Sequence, residues 1–148
     1  MAKHLSVPAL ALSALMTAGI SSQALAHGDV TPQAVDVEGL TPLGEEWPDT
    51  NPYRKPSDDF EKAYEIGASA YNQNCARCHG LEAISGGIAP DLRLLTPDYD
   101  GDDWYKYRVI NGAVRDGKVY MPKMAETLSQ EALWAIKTYL DVRHEEME

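Results

Sequence analysis

Basic residues, cysteine and strand-like alternation are all scarce in this chain. Thirteen Lys and Arg stand against twenty-three Asp and Glu, a formal net charge of −10. That balance argues against nucleic acid and anionic membrane surfaces as partners. It favours a partner offering a basic patch, and it equally suits a protein that is simply kept soluble by its charge. The only two cysteines are Cys75 and Cys78. Together with His4, His27 and His144, all far off in sequence, they do not make a four-ligand zinc set. The one apolar stretch, Val7 to Ile20, is too short to span a bilayer comfortably. No internal repeat is visible, and no alternating pattern predicts strands in quantity.

The N-terminus reads as a secretory signal peptide over residues 1–26. Lys3 and His4 open it, the apolar stretch follows, and Ala24-Leu25-Ala26 is a small-residue cleavage site. An uncleaved anchor is the alternative, which that ending argues against. The exported chain then starts at His27 and has no membrane span. Residues 27–56 read as an extended leader with five prolines, Pro32, Pro42, Pro48, Pro52 and Pro56, and no helical period. Trp47 and Tyr53 are placed to pin it to the rest. Residues 57–148 are long enough for one domain.

The residues that carry chemistry are Cys75-Ala76-Arg77-Cys78-His79. C-x-x-C-H is the attachment signal for a covalent haem. Thiols three residues apart share one helical turn and reach two vinyl groups on one side of a haem. The histidine that follows binds iron through a neutral imidazole. A disulfide redox centre is the other reading of C-x-x-C, but it needs a strand before the motif, and a helical stretch stands there instead. One haem c also supplies the staple that a small domain without a disulfide needs. Export fits as well, because bacteria attach haem outside the cytoplasm.

Helical spacing predicts a first helix from about Ser57 or Asp58 to about Tyr71, with Gly67 allowing a close helix contact. A middle helix is predicted over Asp102 to Val109, ended by Asn111-Gly112, with a turn at Asp116-Gly117. A last helix is predicted from Ser129 as N-cap to about Arg143, with Leu133, Ile136 and Leu140 as its apolar stripe.

A second axial ligand is expected, and thioether sulfur would raise the reduction potential. Met121, in a loop stiffened by Pro122, is favoured. Met124 is the alternative, with gap-filling against the haem edge as its other reading. His144 is a weaker possibility. The second ring nitrogen of His79 needs an acceptor, and the carbonyl of Pro90 is the candidate. Leu92 would then pack on the porphyrin. Trp104, Tyr105 and Arg108 are candidate donors to the propionates.

These segments together resemble a class I cytochrome c. The residues are Tyr71 to Gly80, Ala89-Pro90-Asp91-Leu92, Met121-Pro122 and Leu128 to Leu133. The resemblance implies an all-α fold around one haem. The first and last helices would cross, pairing Gly67 and Tyr71 with Ile136 and Tyr139. Residues His27 to Asp36, Gly44 to Trp47, Asn51 to Arg54, Ile84 to Ile88 and Asn111 to Arg115 resemble more narrowly the PedF-type cytochromes c. That resemblance implies a monomeric periplasmic electron carrier, not an enzyme. Its donor would be a PQQ-dependent alcohol dehydrogenase, and its acceptor another cytochrome or a terminal oxidase. A general carrier for other dehydrogenases or oxidases remains open. So does a ligand-binding or peroxidase-like haem protein, against which Met121 argues.

Overall fold

The computed structural model describes residues 31–148; the expected signal peptide and the first four leader residues lie outside the described residues. Four α-helices carry the described chain: α1 (Phe60–Asn74), α2 (Ala76–His79), α3 (Tyr99–Asn111) and α4 (Gln130–Glu145). Short 3-10 turns lie at Leu81–Ala83, Leu92–Leu94 and Met124–Glu126. The architecture is all-α apart from one antiparallel hairpin, β1 (Ala113–Arg115) with β2 (Lys118–Met121).

The crossing of α1 with α4 organises the core. Gly67 is buried in the middle of α1, and a Cβ there would lie 1.9 Å from the carbonyl oxygen of Ala135. Only a glycine lets the two backbones approach so closely. One turn further on, the rings of Tyr71 and Tyr139 meet with centroids 5.1 Å apart, and Tyr64 adds a second contact to Tyr139 at 6.0 Å. Ala63, Ala70, Ala132 and Ile136 fill the seam with no exposed surface. Ser129 caps α4, accepting from the amide of Ala132, and Arg143 and His144 in its last turn complement the helix dipole.

Three elements depart from the sequence reading. The first helix runs Phe60–Asn74, starting after the expected Ser57 or Asp58 and continuing past Tyr71 to the residue before Cys75, whose amide bonds the Tyr71 carbonyl. The middle helix begins at Tyr99, a turn before the expected Asp102, because the Asp98 carboxylate caps it from outside, accepting from the amide of Gly101 at 3.0 Å. Its first turn is too acidic to show an apolar period. The Asp116-Gly117 pair forms the expected turn, with φ of 49° and 73°, and such residues suit a tight hairpin. The flanking residues, read as loop, pair as strands, with Val114 opposite Val119 and Arg115 opposite Lys118. Strands of three and four residues are too short to show alternation. Met121 therefore ends a strand rather than standing in a loop.

The leader is tied down along its described length. Leu40 and Tyr53 are buried, and the Tyr53 hydroxyl donates to the Thr41 carbonyl at 2.7 Å. Trp47 packs on Trp134 of α4 with ring centroids 6.1 Å apart. The strongest tie is ionic. Arg54 donates to Asp102 of α3 at 2.7 Å and to Asp141 of α4 at 2.9 Å. The fully buried ammonium of Lys137 contacts the same two carboxylates and donates to the Thr96 carbonyl at 3.2 Å. Asn51 completes the cluster, its amide donating to Asp102 at 2.9 Å and its carboxamide to Asp141 and Thr138. Two cations balance two carboxylates, so no net charge is buried. Burial works against the charge on Arg54, and the hydrogen bonds to Asp102 and Asp141 outweigh it, so its pKa is raised.

Two substitutions test this frame. Gly67→Ala forces the helices apart and is expected to cost about 3 kcal/mol, the upper end for overpacking. Lys137→Ala leaves two buried carboxylates facing Arg54 alone and is expected to cost roughly 3–5 kcal/mol. Denaturant unfolding of the haem-loaded protein measures both. A change within a few tenths of a kcal/mol in either variant would contradict the corresponding account.

Candidate functional site

The motif lies at the end of α1, where the crossing has already fixed the backbone. The amide of Cys75 closes α1 on the Tyr71 carbonyl, and the amides of Cys78 and His79 both turn back to the Cys75 carbonyl. The three side chains are thereby held on a single turn, all half-buried, and both thiols are free. Burial, helped by the neighbouring Cys78, pushes the Cys75 thiol up to about 12. Buried Tyr71 holds the turn from beneath, its hydroxyl donating to the Gly80 carbonyl at 2.7 Å. Gly80 has φ of 85°, and a Cβ there would lie 1.8 Å from the Ile84 carbonyl, so the chain leaves the motif by a path only glycine can take.

That path folds back under His79. Its Nδ1 lies 2.9 Å from the carbonyl oxygen of Pro90. A carbonyl only accepts, so the proton is on Nδ1, and Nε2 keeps its lone pair for a metal. The returning loop is braced. Asp91 accepts from the Ser85 amide and from both the amide and the guanidinium of Arg93. Arg93 and the backbone amides hold its carboxyl down at about 2. Two residues of α4 grip the same loop: Arg143 donates to the Glu82 carbonyl at 3.2 Å, and His144 Nδ1 donates to the Arg93 carbonyl at 2.7 Å. Leu92 is half-buried against the core, while Leu81, Ile88 and Leu94 stand more than two-thirds exposed around the loop.

The two methionines differ in setting. Met124 is 3% exposed and belongs to the core, with its carbonyl accepting from Leu128. Met121 is half-buried at the end of β2, and its backbone rests on Gly112, where a Cβ would come within 2.5 Å of its carbonyl. Of the three residues proposed for propionates, Tyr105 is committed elsewhere. It is buried, and its hydroxyl donates to the Leu133 carbonyl at 2.7 Å. Trp104 and Arg108 are on the outside of α3, with the guanidinium 4.4 Å from the indole ring.

The donor set fits a covalent haem. Two free thiols share a turn, the adjacent imidazole has one nitrogen satisfied and the other available, and apolar side chains rim the loop below it. The bracing by Asp91, Arg143 and His144 was not legible in sequence. Only the paired spacing of Asp91 and Arg93 hinted at it. Among the described residues no group of His, Cys, Asp and Glu forms a separate metal site, and no helix is long and apolar enough to cross a membrane.

Residues 62–140 match the family described as "Cytochrome C oxidase, cbb3-type, subunit III". The chain is 72% identical over 132 residues to cytochrome c550 of Pseudomonas aeruginosa, covering 88% of this chain and 91% of that protein. It is also 38% identical over 78 residues to quinohemoprotein alcohol dehydrogenase ADH-IIG of Pseudomonas putida, and 33% identical over 82 residues to quinohemoprotein alcohol dehydrogenase ADH IIB of the same organism. Those matches cover 51% and 55% of this chain but only 10% and 11% of the two dehydrogenases. No solved structure matches significantly.

The Asp91 carboxyl makes the loop acid-sensitive. Its folded pKa is depressed, so the stability it contributes is complete above its ordinary value of 3.8 and is lost as pH falls to about 2. Asp91→Asn is expected to lower stability at neutral pH, with the difference from the parent protein closing by pH 2. Denaturant midpoints at pH 7, 3 and 2 measure it; a constant difference would show that the carboxylate is not the brace.

Proposed function

Given that this chain belongs to the cytochrome c family, electron-transfer proteins with covalent haem c rather than enzymes, we propose that it is a periplasmic one-electron carrier serving a PQQ-dependent alcohol dehydrogenase. The observation that carries the haem site is the imidazole of His79, held by the Pro90 carbonyl at 2.9 Å beside two free thiols. In this reading Cys75 and Cys78 would form the two thioether bonds, His79 would bind iron through Nε2, and Leu92 would line the haem pocket. Bound haem supplies a one-electron couple, and the chain supplies its ligands, its apolar surroundings and a route to partners.

Met121 is the second ligand in this reading. Its backbone lies against Gly112 and precedes Pro122, and its side chain packs on the core while staying partly exposed. Met124 is already enclosed by protein and serves the core. A thioether ligand from Met121 would raise the potential, which suits acceptance of electrons from a quinol-type donor, and would disfavour the ligand-binding or peroxidase-like alternative.

The donor assignment draws on likeness. Two quinohemoprotein alcohol dehydrogenases resemble this chain over about half its length. A separate chain of the same kind can receive electrons from such an enzyme by diffusion. Alcohol oxidation releases two electrons, so each turnover of the donor requires two encounters. The electrons then pass to another cytochrome or a terminal oxidase. Export through residues 1–26, the leader 27–56 and a monomeric state complete the reading.

Two experiments test it. Mixing the oxidised haem protein with a purified quinoprotein alcohol dehydrogenase and ethanol should give fast, saturable reduction of the haem bands in stopped flow. Slow reduction, with the haem still reducible by small reagents, would assign the carrier to another donor. Met121→Ala should abolish the weak sulfur–iron absorbance near the red end and lower the potential. Met124→Ala should keep both and lose stability instead, by about 2–5 kcal/mol. The reverse pattern would move the ligand to Met124.

A further inference from the structure

The cations of this acidic chain are unevenly placed. From Trp104 to Ala125 stand five basic residues, Lys106, Arg108, Arg115, Lys118 and Lys123, with Asp116 as the one acid, whereas the first turn of α3 just before them is acidic, with Asp100 and Asp103 exposed. The chain as a whole has a formal net charge of −10. A positive region is thus set into a strongly negative molecule. Lys106 turns toward the leader and pairs with Asp49 at 3.3 Å. Arg108, Arg115 and Lys118 make no ion pair among the described residues, and Lys123 has only a long contact to exposed Glu126 at 3.6 Å. Arg108, Arg115 and Lys118 thus neutralise no carboxylate among the described residues.

Exposed apolar and aromatic surface accompanies them. Val114 and Val119 face each other across the hairpin and are 63% and 67% exposed. Tyr120 is 61% exposed with the Arg115 guanidinium 5.6 Å from its ring. On α3, Trp104 and Tyr107 stack with centroids 6.2 Å apart, and Arg108 lies over both. Arg108 also reaches the Gly112 carbonyl at the base of the hairpin, joining the two parts of the surface. Arginine beside exposed aromatic rings is the composition of protein-binding hot spots. A two-stranded hairpin gains no core from such side chains, so burial against another protein is what would use them.

We propose that the hairpin, together with Arg108 at the end of α3, forms a docking surface for an acidic patch on the electron-donating protein. The proposal rests on the carrier reading above and adds to it the chemistry of the partner. Overall composition pointed to a basic partner; at this face the placement of charge points to the opposite sign. The surface ends at Met121, so a donor seated on Arg115, Lys118 and Tyr120 lies beside the second ligand of that reading. The surrounding negative charge has a further effect. The net negative charge of the rest of the chain disfavours other approaches of an acidic patch, and so orients the encounter as well as attracting it.

One test needs no dehydrogenase. The haem-loaded protein is passed over immobilised poly-L-glutamate at low ionic strength. Retention despite the net negative charge, reversed by salt, is expected, and the double variant Arg115→Glu, Lys118→Glu should pass straight through. Passage of the parent protein would overturn the proposal. A control variant, Lys55→Glu with Lys62→Glu, makes the same change in net charge on another face and should still be retained; its loss would also overturn it. Stopped flow with the dehydrogenase then asks whether this surface meets the donor. The Arg115, Lys118 variant should be reduced about ten-fold more slowly at low salt. Its reduction by a neutral small reagent and its potential should be unchanged. An equal or faster rate than the parent protein would place the donor elsewhere and refute the docking role. If the dehydrogenase reduces neither protein while poly-glutamate retention persists, the donor reading fails and the acid-binding surface stands. Salt-sensitive dimers in sedimentation would assign the surface to a second copy of this chain and overturn the proposed partner.

Discussion

Everything in this molecule depends on how closely two helix backbones approach at Gly67. With a Cβ 1.9 Å from the Ala135 carbonyl excluded, α1 can lie directly on α4. The end of α1 is then no longer free to choose its direction. Tyr71, one turn later, is pressed between Tyr139 and the Gly80 carbonyl, and Cys75, Cys78 and His79 follow from a fixed point. A site that must present two sulfurs and a nitrogen to one planar group gains its precision from a contact that contains no reactive atom at all.

The second constraint is electrostatic. A core of this size could have been closed by leucines, yet two cations and two carboxylates join the leader to α3 and α4. Such a cluster is a weak source of stability, because desolvation offsets most of its attraction. What it contributes is selectivity. An apolar contact would tolerate several placements of the leader, whereas the cluster is satisfied in one, with Asn51 and Thr96 completing its hydrogen bonds. Its outward counterpart is the set of cations near the hairpin that find no such partner within the described fold.

Legibility from sequence divides along physical lines. The haem motif, the glycine at the crossing and the serine cap of α4 are local signals, each explained by residues within one or two turns, and they could be read directly. The Pro90 carbonyl was reachable too, because a loop of eleven residues with three glycines leaves few places for an imidazole proton to go. The hairpin escaped because three-residue strands show no period. The ionic cluster escaped because its members are scattered from Arg54 to Asp141. Only Lys137 and Asp141, one turn apart in an otherwise buried helix, carried a trace of it. Likewise, net charge suggested the sign of a partner but could not reveal where the few cations gather, since composition holds no positions.

The ionic cluster also sets an order of events. A ribosome delivers Arg54 long before Lys137 and Asp141. The leader's ion-pair partners, and the α4 surface on which Gly67 must seat, arrive near the end of the chain. Until then Cys75, Cys78 and His79 belong to a helix with nothing to lie against. A modifying machinery that meets the nascent chain thus finds the thiols on an open, unlocked strand of polypeptide. Only with α4 present can the leader's ion pairs, the loop grips of Arg143 and His144, and the crossing at Gly67 all form, so the turn that carries the thiols takes its fixed direction last.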